Sequence, residues 1–269
     1  MSNRRAPVKV ALLVLPLLAL VLVLHAWGDP MAGGLGRAIG TWKYPERGIQ
    51  SQFVVRVPRG SGVETWALRA LDEFVSQTVK TYGVPLALQV PAQPVTVLLL
   101  DADAEPSRFG STVADELNAN EGVYDPARRM VFVRMERRIQ QDLVILALRQ
   151  AVARVLLHEA GSSRWSPWLT EGLVGRLEGP RAADPRAWTG ELPTLSEILR
   201  FSEADFRGHN RLACARGARL LTAFLMERMP EKFAYYYKEE QAGLRPSFSE
   251  RLGDPVRLER EFRDWLQPK

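Results

Sequence analysis

Cysteine and histidine are nearly missing from this chain: among 269 residues there is one cysteine, Cys214, and three histidines, His25, His158 and His209. A single thiol excludes an intrachain disulfide and any cysteine-based zinc site, and no cysteine lies near the N-terminus to carry a lipid. Set in the apolar run LACARGARLL, Cys214 reads as a small core residue. The histidines form no cluster. Internal repeats and low-complexity runs are lacking as well. Net charge is in short supply outside the N-terminus, because Arg4, Arg5 and Lys9 precede Trp27 with no acidic residue among them and account for three of the net +5. What remains is too little to point to nucleic acid. The balance of 46% hydrophobic and 25% charged residues is that of an ordinary globular chain long enough for one large domain or two small ones.

What is present falls into three parts. Residues 1–28 put a basic start before the charge-free run from Val10 to Leu24, the pattern of a segment that enters a membrane with its positive end on the cytoplasmic side. Residues 8–27 are read as a signal anchor, which makes the chain a single-pass protein whose C-terminal domain lies outside the cytoplasm; a cleaved signal peptide and a secreted product are the alternative. Residues 29–48 are rich in Gly and Pro and read as a flexible tether. Residues 49–269 read as a single domain, with an α/β part (49–138) and a helical part (139–269).

Within the domain, Phe53, Val55 and Val57 alternate as in a half-buried strand. Apolar residues at three- and four-residue spacing predict an amphipathic helix from Val63 to Tyr82, closed by Gly83 and Pro85. PVTVLLLDAD is apolar on both faces and suits a central strand. Residues 105–120 read as irregular or short helix, and GVYDPARRMVFVRM as strand, turn and strand. Asp142 to Glu178 then gives an apolar helix, a polar loop ending in SPW, and a second helix opening on TEG. ADPRAWTGELP reads as a Pro-rich loop. LSEILRFSEADF, LACARGARLLTAFLMERM (ended by Pro230) and two or three terminal segments read as helical. The class is α+β: a small N-terminal sheet with one long helix, followed by a mostly helical half.

This order of parts resembles a family of bacterial gluzincin-type, peptidase-MA-like domains of unassigned function. GVYDP (Gly122 to Pro126), WLTEGLVGRLE (Trp168 to Glu178) and the closing LGDPVRLEREFRDWL carry the likeness, which extends over roughly Gln50 to Leu266. In the family's zinc peptidases an HExxH helix supplies two histidine ligands and the general base, and a glutamate on the next helix supplies the third ligand. Carried over residue by residue, the ligand positions fall on Arg149 and Ala153, the base on Gln150, and the third ligand on Glu171. Only Glu171 matches. A guanidinium has no free lone pair and a glutamine takes up no proton at neutral pH, so the resemblance implies a lost metal site, no catalytic residue and no cofactor.

Two readings of Glu171 follow. In one, Thr170 caps the second helix and Glu171 sits in its first turn as a favourable anion. In the other, Arg149 faces Glu171 and its guanidinium stands where the zinc would be. The weak metal alternative draws on His158, Glu159 and Glu171. For His158 itself a helix C-terminal position is favoured, and for His209 a solvated loop. Trp165, Trp168 and Tyr235 to Tyr237 read as packing residues. Arg128, Arg129, Arg134, Arg137 and Arg138 read as a solvated turn and the start of a helix, or as a surface for an acidic partner or phospholipid heads. The expected function is that of a catalytically inactive metallopeptidase-like domain, tethered or exported. It would bind an unknown protein or peptide in the cleft between the 142–158 and 168–178 helices. An active zinc peptidase with a non-standard site and a purely structural envelope domain are the alternatives.

Overall fold

Short alternating runs and one fully apolar run build the sheet. Strands β1 (Glu46–Arg47), β2 (Phe53–Arg56), β3 (Val95–Leu100), β4 (Gly122–Asp125) and β5 (Met130–Arg134) join in the order β1-β2-β3-β5-β4. The β1/β2 and β4/β5 pairs are antiparallel, whereas β3 is parallel to both of its neighbours. This computed structural model describes residues 46–47, 52–57, 63–101, 104, 106–119, 122–135, 141–162, 165–178, 191–208 and 210–267. The expected membrane segment, most of the tether, His25, Arg137, Arg138, His209 and most of the ADPRAWTGELP loop lie outside them. No helix among the described residues is long and apolar enough to cross a membrane.

β3 is buried on both faces, as its composition requires. Val95, Val97 and Leu99 share one face with Val131 and Val133, while Leu98, Leu100 and Phe132 alternate to the other. The first face lies under helices α1 (Glu64–Leu86) and α3 (Gln141–Glu159). The second is covered by the turn Pro106–Phe109 and α2 (Ser111–Ala119), with the Phe109 and Phe132 rings 5.0 Å apart. Beyond α3 follow α4 (Pro167–Glu178), α5 (Leu195–Ile198), α6 (Arg211–Arg228), α7 (Pro230–Gln241), α8 (Phe248–Arg251) and α9 (Pro255–Leu266). The fold is α+β, with the helices concentrated in the second half. One hydrophobic cluster runs from Phe53 to Phe262 and so crosses the boundary between the two parts. Cys214 is buried, and burial raises the pKa of its thiol.

Three local expectations are corrected. The long helix does not close at Gly83: α1 continues through Pro85 to Leu86, and Ala87 ends it in the left-handed region at φ 49°. A proline this close to the end removes only one of the last helical bonds. The final carbonyl is held instead by the Tyr237 hydroxyl, which donates to Leu86 O at 2.7 Å. The segment LSEILRFSEADF is helical only over α5, which opens with a Thr194/Glu197 capping box. The Asp205 carboxylate then accepts from both the Ser202 amide and its hydroxyl, a local bond that competes with helix continuation. The sheet also begins before residue 49, since Glu46 and Arg47 pair with Val55 and Val54, and the compact unit spans residues 44–269.

Glycine sets how closely the helices approach. At Gly122 a Cβ would lie 2.7 Å from Ala147 O, so the edge strand β4 rests directly on α3. At Gly172 a Cβ would lie 1.9 Å from Thr222 Oγ1 and 2.7 Å from Ala218 O, so α4 and α6 are nearly in backbone contact.

The start of α4 is held by a carboxylate from α7. Buried Glu240 accepts from the Ser166 amide (3.1 Å), the Ser166 hydroxyl (2.6 Å) and the Tyr236 hydroxyl (3.0 Å). Hydrogen bonds to a charged group contribute about 1.5–3 kcal/mol, and this one also faces a helix N-terminus. Glu240→Ala is expected to lower the unfolding free energy by about 3 kcal/mol in urea titrations, with Glu240→Gln losing roughly half as much.

Candidate functional site

The helix pair α3/α4 is assembled as the sequence suggests, but a different face of α3 meets Glu171. α4 opens at Pro167, behind Ser166, whose carbonyl accepts from the Leu169 and Thr170 amides. Thr170 is therefore not the cap, and Glu171 lies beyond the first turn, where it is 8% exposed. Arg154 Nη2 donates to Glu171 Oε2 at 2.7 Å, and Arg219 Nη2 on α6 donates to Oε1 at 3.1 Å. Both carboxylate oxygens are thus engaged by guanidinium groups.

Arg149 does not occupy that place. Its guanidinium lies over the Phe74 ring of α1, 5.9 Å from the centroid, and Ala153 is wholly buried. The pair of α3 residues turned to α4 is Gln150 and Arg154, spaced i, i+4 and shifted by one from Arg149 and Ala153. Gln150 Nε2 donates to Glu178 Oε2 at 3.1 Å, and Arg219 Nη1 meets the same oxygen at 3.1 Å. A continuous network results: Arg154, Glu171, Arg219, Glu178, Gln150. Its two cations and two anions cancel.

Gly175 makes this network accessible to Arg219. A Cβ there would lie 2.3 Å from Arg219 Cγ and 2.5 Å from Cδ, so the arginine stem crosses α4 over a bare backbone. Glu171 and Glu178 are two helical turns apart on α4, and one guanidinium bridges both. Burial alone would raise the Glu171 pKa, but the nearby positive charges and hydrogen bonds of Arg154 and Arg219 outweigh it and hold the carboxyl below its ordinary range.

These residues do not fit a zinc ion. A guanidinium offers donors only, Gln150 presents its amide nitrogen to Glu178, and both oxygens of Glu171 already accept hydrogen bonds. The other set is dispersed as well. Glu159 is paired with Arg129 at 2.8 Å, and the His158 ring stands edge-on to Tyr124 with centroids 5.5 Å apart. Among the described residues, no group of three or more His, Cys, Asp or Glu side chains is placed to hold a metal.

No protein-family profile matches the chain, and no curated protein matches it significantly. Its resemblance to gluzincin domains rests on GVYDP, WLTEGLVGRLE, the closing LGDPVRLEREFRDWL and the order of the elements.

Next to the network lies a cavity of about 770 Å³. Arg154, His158, Thr170 and Glu171 form one side, the β4/β5 hairpin another, and the start of α2 with Phe206 and Arg207 the rest. The hairpin turn is held by its own hydrogen bonds. Asp125 Oδ1 accepts from the Ala127 and Arg128 amides, and Arg129 takes the left-handed conformation at φ 52°. Its arginines are less free than a solvated basic turn implies: Arg128 binds Asp125 at 2.7 Å and Phe109 O at 3.0 Å, while Arg129 binds Glu159 and Gln93 O. Trp168 packs against Tyr236 and Phe248, and Trp165 against Tyr237, as packing residues should. Tyr235 is 58% exposed under Arg251. Trp165 also reaches the cavity wall.

Proposed function

We propose that this chain is a catalytically inactive relative of gluzincin-type peptidases, exported or tethered by residues 8–27, whose folded domain acts as a binding or scaffolding module. The observation that carries the reading is the engagement of both Glu171 oxygens by Arg154 and Arg219. A carboxylate suited by position to be a third metal ligand has a permanent organic counter-ion in place of a metal. A buried carboxylate left without a cation would cost several kcal/mol, and the two arginines supply the charge without supplying a Lewis acid. Further support is that Gln150, at the position of the base, takes up no proton at neutral pH and that Ala153 offers no ligand atom. The ligand region is the cavity beside the network, bounded by α3, α4 and the β4/β5 hairpin.

The test is elemental analysis and casein hydrolysis on the purified full-length chain after incubation with zinc and removal of the excess. Far less than one zinc per chain and no hydrolysis above buffer are expected. Stoichiometric zinc that disappears in Glu171→Ala would overturn the reading.

A further inference from the structure

The walls of the cavity differ in kind. Phe109, Val113, Val123 and Phe206 give it an apolar side, whereas Arg154, His158 and Thr170 bring polar groups from α3 and the start of α4. Arg154 and His158 stand one turn apart on α3 and so project from one face of that helix. A guanidinium carries donors on three nitrogens, and Arg154 commits only Nη2, to Glu171 Oε2 at 2.7 Å. Its Nε and Nη1, both ring nitrogens of His158 and the Thr170 hydroxyl have no hydrogen-bond partner among the described residues, yet none of these atoms is closed off from solvent. The Arg154 side chain is 27% exposed, and His158 and Thr170 are half-buried. The other charged groups on the wall already have partners, Arg128 with Asp125 at 2.7 Å and Arg207 with Glu203 at 3.4 Å.

We propose that the cavity takes a ligand with a single carboxylate and an apolar body, the carboxylate held by Arg154, His158 and Thr170 and the body lying against the apolar side. A carboxylate accepts several hydrogen bonds at once and forms its strongest ones with guanidinium donors. Arg154 can serve it without releasing Glu171, and Arg219 also binds that residue, through Oε1 at 3.1 Å. Both basic side chains are set in position by contacts that leave the remaining donors open. Glu171 holds Arg154 by one nitrogen, and Tyr124 holds the His158 ring edge-on with centroids 5.5 Å apart, a contact between rings. One negative charge is the limit. Arg154 and Arg219 are balanced by Glu171 and Glu178, so the site has no spare guanidinium for a dianion such as a phosphate monoester. An uncharged ligand would forgo the charge-assisted bond from Arg154. The volume of about 770 Å³ is that of a small-molecule site, and a few convergent polar groups beside an apolar wall are what such a site needs to orient an amphiphilic ligand.

This proposal rests on reading the cleft as a binding region. It is tested on the full-length protein by ligand-observed proton NMR titrations at neutral pH. The probes share one ring: N-acetyl-phenylalanine and 3-phenylpropanoate carry a carboxylate, N-acetyl-phenylalaninamide is uncharged, and phenyl phosphate carries the larger charge. Saturable binding of at least one carboxylate is expected, with the amide and the phosphate about tenfold weaker or more. Preference for N-acetyl-phenylalanine supports the proposal with a peptide's chain end as the source of the carboxylate, and preference for 3-phenylpropanoate supports it with a free organic acid. His158→Phe keeps a ring against Tyr124 and removes both nitrogens; it should weaken the acid about tenfold while the melting temperature stays within a few degrees. Arg154→Gln should weaken it about 10- to 100-fold and also lose stability, since Glu171 gives up a partner, so His158→Phe decides if that variant does not fold. No saturable binding of either acid, equal or tighter binding of the amide or the phosphate, or unchanged affinity in folded His158→Phe would each overturn the proposal. Elemental analysis of the same sample separates this from the parent reading: absent zinc with absent binding sinks the ligand assignment alone, whereas stoichiometric zinc sinks the reading of the site.

Discussion

Replacing Gly172 with alanine is expected to destabilise the protein by about 3 kcal/mol or more, near the upper end of what overpacking a well-filled interior costs. The new methyl group would stand 1.9 Å from Thr222 Oγ1 and 2.7 Å from Ala218 O. The first obstacle is a side chain that can be removed; the second is backbone and cannot. Thr222→Ala in the same chain should therefore recover part of the loss and leave the rest, a positive coupling between the two sites in a double-mutant cycle. At roughly 2–4 °C per kcal/mol for a domain of this size, the single variant should melt about 10 °C lower. An unchanged melting temperature would mean that α4 and α6 do not meet at this separation, and the path of Arg219 across Gly175 would fall with it.

How much of this was legible in the sequence depends on which contact decided each feature. Period-two alternation gave β2, and apolarity on both faces gave β3 its central place between two parallel neighbours, because a strand's side chains report both of its faces directly. The hairpin was readable from GVYDPARR, where Asp125 caps its own turn. The face of α3 turned to α4 was not readable. That helix is buried nearly all round, so its apolar pattern leaves the rotation open, and a shift of one residue turns the face by about 100°. Alignment to a motif whose residues are gone put the former ligand positions at Arg149 and Ala153 and, in one reading, set Arg149 against Glu171, whereas packing turns Gln150 and Arg154 to α4. Arg219, 48 residues beyond Glu171, was missed for another reason: its role exists only because Gly175 clears a path for it. The available signal was the pair Glu171 and Glu178 at a seven-residue interval with Gly172 and Gly175 between them. That arrangement marks a close helix neighbour and two anions in need of one cation.

Glu171→Ala is the second change with a large expected effect, and its dependence on pH identifies the cause. Removing the carboxylate leaves Arg154 unpaired and Arg219 with Glu178 alone, in a partly buried site. Breaking a buried pair in this way costs about 3–5 kcal/mol, or a melting point lowered by roughly 10 °C. Glu171→Gln keeps the shape but turns an amide donor toward guanidinium donors, so it too should lose several degrees. The folded-state pKa of Glu171 is lowered from the ordinary 4.5, so its contribution is fully present above that value and is lost as pH falls below it through the folded-state value. The stability gap between wild type and Glu171→Gln should therefore stay constant from pH 7 to about pH 5 and narrow below 4.5, where the wild-type carboxyl takes up the proton that makes it resemble the amide. Urea titrations at half-unit pH steps measure this directly. A gap that stays flat down to acid unfolding would show that Glu171 is not held as a carboxylate between its arginines. A gap that closes instead when a chelator is added at pH 7 would show that a metal, and not Arg154 and Arg219, balances its charge.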